Sequence, residues 1–288
     1  MKHDAPLTAL AAVLLASTPA GAEATRTGYV DANGLHAYYE VHGTGEPLFV
    51  LHGAYQSVED LRPLIDGLAA TRQVIALDLQ GHGRTADVDR PLAYEGMADD
   101  VAALMDEIGI PVADVFGYSM GAGVAYQLAI RHPDHVDRLA AASGSFSSAG
   151  LYPEMAAMFE QMTPEAMAGM MEGTPYATAY RAVAPNPDAF PTLVAKLLAL
   201  DTAPQDWPAA DVEAIAAPTL VISGDSDIIR PEHSVEIFRL RGGGPSPDFM
   251  APGAAQLAIL PGTTHLGVIE RTDLLVPMLV AFLDKPGE

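Results

Sequence analysis

Gly117-Tyr118-Ser119-Met120-Gly121 constrains the fold of this chain more than any other stretch. Before it runs Val112-Ala113-Asp114-Val115-Phe116, a short apolar segment that reads as a buried strand. After it runs Ala122-Gly123-Val124-Ala125-Tyr126-Gln127-Leu128-Ala129, which reads as a helix. A strand that turns into a helix across a single residue brings the two elements too close for side chains at the flanking positions, and glycine stands at both. The central residue takes strained backbone, and its side chain rises above the sheet edge over the start of the helix. Here that residue is a serine. Gly-x-Ser-x-Gly by itself matches any Gly-rich loop, and it is the strand before and the helix after that give it the form of a nucleophile elbow.

The rest of the chain repeats the strand–helix rhythm. Asn33-Gly34, between Gly28-Tyr29-Val30 and Leu35 to Val41, predicts a hairpin. Leu48 to Leu51, Gln73 to Asp78, Val136 to Ala142, Pro218 to Gly224 and Gln256 to Leu260 read as further strands. Val58 to Ala70, Tyr94 to Ile108, Pro231 to Leu240 and Thr272 to Leu283 read as helices. Such alternation predicts an α/β protein with a mostly parallel central sheet and helices on both faces. Residues 146–214 break the rhythm. They hold no convincing strand, many prolines and half of the twelve methionines, Met155 through Met171. The expected organisation is a core over residues 23–145 and 215–288, with a helical cap or lid over 146–214 inserted above the strand ends.

At 288 residues and 49% hydrophobic, the chain has enough apolar material for one sizeable domain or a domain with an insertion. A formal net charge of −22 argues against binding nucleic acid or an anionic membrane. Residues 1–22 read as a secretory signal peptide: a weakly basic start, an apolar run from Leu7 to Ala16 too short to span a bilayer, and Ala20-Gly21-Ala22 as a cleavage site. The expected location is therefore periplasmic or secreted, without stable membrane association. The absence of cysteine removes disulfides and thiol chemistry. No close His/Asp/Glu cluster has metal-ligand spacing, and Gly121-Ala122-Gly123 lies inside the elbow helix rather than in a nucleotide-binding turn. No metal and no cofactor are expected.

A serine hydroxyl is a poor nucleophile until a base takes its proton, and the base needs a carboxylate to orient it. Of nine histidines, His265 lies just beyond the last strand, in Leu260-Pro261-Gly262-Thr263-Thr264-His265. The carboxyl ends of parallel strands share one edge, so His265 and Ser119 belong to the same edge. Asp225 and Asp227 follow an earlier strand onto that edge, and one of them is expected to orient His265 while the other serves the turn. The loop His52-Gly53-Ala54-Tyr55 follows the first central strand. The backbone N–H of Ala54, with that of Met120, would form an oxyanion hole. His52 and His82 read as turn-forming residues. Tyr55 is expected to border the pocket, with Met155 and Met158 from the insertion as pocket candidates, although most of the methionines suit packing of the insertion onto the core.

These pieces together resemble the α/β-hydrolase superfamily, in its serine-nucleophile, esterase- and lactonase-like branch. The matching segments are His52-Gly53-Ala54-Tyr55, Asp78 through Thr85, the elbow, Gly224-Asp225-Ser226-Asp227 with Pro231, and Pro261 through His265. They follow the order Ser, Asp, His and cover nearly all of the chain after the signal. The resemblance selects Asp227 as the acid, with Asp225 as its alternative. It implies hydrolysis of a small-molecule ester or lactone through an acyl-enzyme on Ser119. Lactonases, carbon–carbon bond hydrolases and cofactor-free perhydrolases with the same triad are alternatives within the superfamily, and a non-catalytic receptor on this fold is an alternative of another class. Two features depart from the commonest pattern: Arg84-Thr85 stands where a serine is more usual, and the loop Arg241 to Ala254 is long.

Overall fold

Asn33 and Gly34 both adopt positive φ, 49° and 79°, as a two-residue hairpin turn requires, and they join strand β1 (Arg26–Ala32) to β2 (Leu35–His42). The computed structural model describes residues 24–244, 248, 250 and 253–284; the expected signal segment, residues 1–22, lies outside them. The sheet continues through β3 (Pro47–Leu51), β4 (Gln73–Leu77), β5 (Ala113–Tyr118), β6 (Val136–Ala142), β7 (Thr219–Ser226) and β8 (Ala255–Thr264). Its order is β1-β2-β4-β3-β5-β6-β7-β8. β2 pairs antiparallel with β1 and β4, and all pairs from β4 to β8 are parallel.

Side chains alternate across the central strands, and each face buries its own set. Leu48, Val50, Val74, Ala76 and Phe116 join one core with helices α1 (Arg62–Leu68) and α11 (Thr272–Leu283). Phe49, Leu51, Ile75, Leu77 and Val115 join the other, with α2 (Tyr94–Glu107) and α3 (Met120–Arg131). The helix expected over Val58 to Ala70 is divided: Val58–Leu61 is a tight single turn, and α1 starts anew at Arg62-Pro63, where proline's missing N–H costs nothing. β8 runs farther than expected, to Thr264, and so delivers His265 directly at its end.

Between β6 and β7 the chain forms α4 (Pro153–Gln161), α5 (Pro164–Met171), α6 (Pro175–Val183), α7 (Phe190–Thr202) and α8 (Ala209–Glu213). Proline lies in the first turn of α4, α5, α6 and α7, which explains both the prolines of this segment and its division into short helices. The core resumes with β7, α9 (Pro231–Leu240), β8 and the short α10 (Gly267–Glu270). The long loop after Arg241 enters β8 at its amino end, roughly 30 Å along the strand from His265.

Strand order reverses at β3: β4 lies on one side of it and β5 on the other. A parallel sheet opens a crevice beyond the carboxyl ends of its strands at such a reversal. Ala54 follows β3 and Ser119 follows β5, so both lie at its mouth.

Candidate active site

Ser119 alone separates β5 from α3, at φ 54° and ψ −118°. This positive φ is unusual for a residue with a Cβ and is held by its surroundings. Its N–H donates to Ala142 O at 2.8 Å, and its carbonyl accepts from Ala122 N at 2.9 Å. The flanking glycines have a direct steric cause. A Cβ on Gly117 would lie 2.2 Å from Gly121 O, and one on Gly121 would lie 2.3 Å from Leu51 O. Strand, helix and the neighbouring strand therefore meet backbone to backbone around the serine.

Ser119 Oγ lies 2.9 Å from His265 Nε2, and His265 Nδ1 lies 2.6 Å from Asp227 Oδ1. An ionised carboxylate only accepts, so Nδ1 carries the proton and Nε2 is left to accept from the serine. Asp227 is buried, and burial raises its pKa. Hydrogen bonds from His265, Ser143 Oγ and the Ile229 N–H outweigh that effect and hold the carboxyl below its ordinary value. The base is anchored through its backbone as well, since Tyr118 Oη donates to His265 O at 2.9 Å.

Asp225 has other work. Its carboxylate accepts from Gly262 N at 2.8 Å and Thr263 N at 3.1 Å, which clips the end of β8 to β7 just before His265. Those bonds lower its pKa and leave it apart from the imidazole. His52 donates from Nδ1 to Gly53 O at 2.8 Å and accepts at Nε2 from Leu79 N at 3.0 Å. Burial and the nearby His82 lower its pKa to about 3, so it stays neutral and fully engaged. His82, buried and lowered to about 4, binds Gln80 O. Thr85, in the unusual position, accepts from Tyr38 N at 2.9 Å through its buried hydroxyl and ties the turn to β2.

Ser119 and His265 open onto a cavity of about 310 Å³. Ala54 and Met120 line it. Met120 is the first residue of α3, where a helix N–H has no partner within the helix. Ala54 is held at the wall by a turn in which Gln56 Oε1 accepts from Gly53 N and Gln56 N donates to Gly53 O. Tyr55, at φ 64°, also lines the cavity.

Two pocket candidates fail. α4 presents Phe159 to the cavity, while Met158 projects from the helix into solvent at 38% exposure, and Met155, one turn before Phe159, is half-buried but outside the lining. The methionines of the insertion that do line the cavity are Met167 and Met171 of α5. Sequence reasoning also passed over Ser143 and Asp201. Ser143 follows β6 directly, and its place at the carboxyl end of a parallel strand was the available signal. Asp201 lies near the end of α7, where the sequence offers only an isolated acid in an apolar helix.

Comparison with known proteins follows this geometry. Residues 46–271 match the family described as the alpha/beta hydrolase fold. The 2-hydroxymuconate semialdehyde hydrolase of Pseudomonas sp. (strain CF600) is 35% identical over 112 residues, covering 38% of this chain and 40% of that protein. The similarity reaches less than half of the length of each of the leading curated relatives. Among solved structures, a meta-cleavage product hydrolase from Pseudomonas fluorescens IP01 gives a TM-score of 0.70 at 21% identity, over 90% of this chain and 97% of that one. The enol-lactonase from Burkholderia xenovorans LB400 gives 0.67 at 23% identity, over 89% and 100%. At these identities the structural likeness is one of fold.

Proposed function

The chain belongs to the alpha/beta hydrolase fold family, and on that premise we propose that it cleaves carboxylic esters through an acyl-enzyme on Ser119. One observation carries the reading. A serine on strained backbone is hydrogen-bonded to an imidazole that a buried carboxylate orients, and the serine faces a cavity large enough for a small ester.

Ser119 Oγ bonds to the acyl carbon as His265 Nε2 takes the hydroxyl proton. Negative charge gathers on the carbonyl oxygen, and the N–H groups of Ala54 and Met120 donate to it, each contributing about 2.7–4 kcal/mol. Asp227, kept ionised by its hydrogen bonds, stabilises the imidazolium. His265 then returns the proton to the leaving alkoxide as the carbon–oxygen bond breaks. Water, deprotonated by His265, attacks the acyl-enzyme; the acid leaves and Ser119 Oγ regains its proton.

Lactone opening, carbon–carbon bond hydrolysis and perhydrolysis would use the same groups, and the choice among them rests on what the cavity admits. The test is a panel of p-nitrophenyl esters graded in chain length beside several lactones, with wild type and Ser119→Ala. Ester turnover that Ser119→Ala abolishes is expected. Lactone turnover without ester turnover would overturn the substrate class. Full activity in Ser119→Ala would overturn the mechanism, and failure of a fluorophosphonate to label Ser119 would favour a receptor.

A further inference from the structure

Asp201 stands on the cavity wall with Ser119 and His265, in surroundings that on balance oppose its charge. It lies in the last turn of α7, where the helix dipole disfavours an anion. The cavity it borders is lined largely by apolar and aromatic side chains, among them Leu200, Met167, Met171 and Phe159. Among the described residues its carboxylate has no hydrogen bond and no ion pair. Burial pushes its pKa up to about 7, and only the attraction of His265 draws it back. Asp201 is half-buried, and a carboxyl so covered normally has partners. Here the place of the partner is the cavity itself.

The cavity favours one kind of partner. No Lys or Arg is among the described residues that line it, so a substrate carboxylate would meet Asp201 without a countercharge. Tyr55, Tyr94, Phe159 and Tyr176 supply aromatic walls, surroundings that hold cations well. The charge of Asp201 acts on Tyr55 and Tyr94, and the Tyr55 hydroxyl is itself buried without a partner. The chain's net charge of −22 draws cations toward it. An ammonium group beside Asp201 would restore its ionisation and give it the N–H donors it lacks.

We infer that Asp201 is the specificity-determining residue of this cavity and that it selects substrates carrying a protonated amine. The inference rests on reading the cavity as an ester hydrolase site. The experiment uses the full chain and two matched pairs of esters. One pair differs only in a terminal ammonium or methyl on the acyl chain, the other only in an ammonium or methyl on the alcohol. In one of the pairs the ammonium ester should have the higher kcat/KM by about 10- to 100-fold, the range of hydrogen bonds to charged groups. In Asp201→Asn, which keeps shape and hydrogen bonding but removes the charge, that ratio should collapse toward one. No ammonium preference in either wild-type pair, or one that survives Asp201→Asn, overturns the inference.

A binding measurement separates this inference from the ester reading. Calorimetry of n-butylammonium against Ser119→Ala, and against the same chain also carrying Asp201→Asn, needs no turnover. Asp201-dependent binding with no ester hydrolysis by wild type would leave the inference standing and sink the ester reading. Ester hydrolysis with neither ammonium binding nor ammonium preference would do the reverse.

Discussion

Two rows of serine, histidine and carboxylate run through this molecule, and the serine of each borders the same cavity. In one, Ser119 meets His265 at 2.9 Å and His265 meets Asp227 at 2.6 Å. In the other, Ser145 meets His233 at 3.0 Å and His233 meets Glu236 at 2.9 Å. The distances hardly separate them; the surroundings do. Ser145 Oγ donates to Ser147 O and accepts from Ser147 N, so the hydroxyl is committed to a local turn. His233 is closed in: Phe146 stacks on its ring at 4.7 Å, and a Cβ on Gly150 would lie 2.5 Å from the ring. Ser119 instead stands at positive φ with the first N–H of α3 behind it and the cavity in front. A hydrogen-bonded row is therefore common material for a fold. Reactivity comes from a serine proton with no competing acceptor, donors placed for the developing oxyanion, and room for an acyl group.

The sharpest way to break this comparison is to remove each serine. Ser119→Ala should cut ester turnover by about 10⁶-fold, the scale seen when a nucleophile is lost. Ser145→Ala should stay within about tenfold of wild type, because its hydroxyl shapes the wall without touching the reacting atoms. A fluorophosphonate followed by peptide mass spectrometry should label Ser119 and leave Ser145 unmodified. Labelling at Ser145 would erase the distinction. The acids come next. Asp227→Asn should lower kcat by about 10⁴-fold, since an amide no longer imposes the tautomer that leaves Nε2 free to accept. Steady-state kinetics that find less than a tenfold loss would mean that another group holds His265.

The first row was legible in the sequence and the second was not, for a physical reason. Gly117, Gly121 and Ser119 are marked by backbone contact that only glycine permits, and His265 by its place after the last strand of a parallel sheet. Steric necessity and strand-end position both survive in a one-dimensional pattern. The choice between Asp225 and Asp227 did not, because it depends on which carboxylate the extended end of β8 reaches with its N–H groups. The sheet was legible through its short apolar runs. The cavity wall was not: five helices lie between β6 and β7, and which side chain of each faces inward depends on how the helices dock. Phe159 and Met171 turn in while Met158 and Met170 turn out. Asp201, an isolated acid in an apolar helix, looks in sequence like any surface residue.

His233 tests the second row for what it does in place of chemistry. Burial lowers its pKa even though Glu236 acts to raise it, so the fold holds a neutral imidazole. An imidazole lowered in the fold supports stability above its unfolded value of about 6.5, and that support is lost as pH falls toward the folded value. His233→Gln should therefore cost about 1–3 kcal/mol at pH near 8, through broken bonds to Glu236 and the Phe146 N–H. The gap from wild type should narrow near pH 5, as wild type loses its own share. Urea melts at both pH values check this, with kcat measured on the folded variant. A gap that widens in acid, or a kcat loss on the scale of Asp227→Asn, would give His233 a different role.

The smallest effect should come from Glu236, and it completes the contrast between the two acids. Glu236 is 53% exposed at its side chain and lies one helical turn from His233, whereas the side chain of Asp227 is wholly covered and takes bonds from four partners. A carboxylate open to water is screened and exchanges its partner for solvent at little cost, typically 0–1 kcal/mol. Glu236→Gln should accordingly shift stability by less than about 1 kcal/mol and leave ester kinetics within about twofold of wild type. Equilibrium unfolding and a single kcat/KM measurement decide it. A large kinetic loss would mean that charge at Glu236 reaches the cavity through His233 and Ser145, and the two rows would then have to be treated as one coupled network.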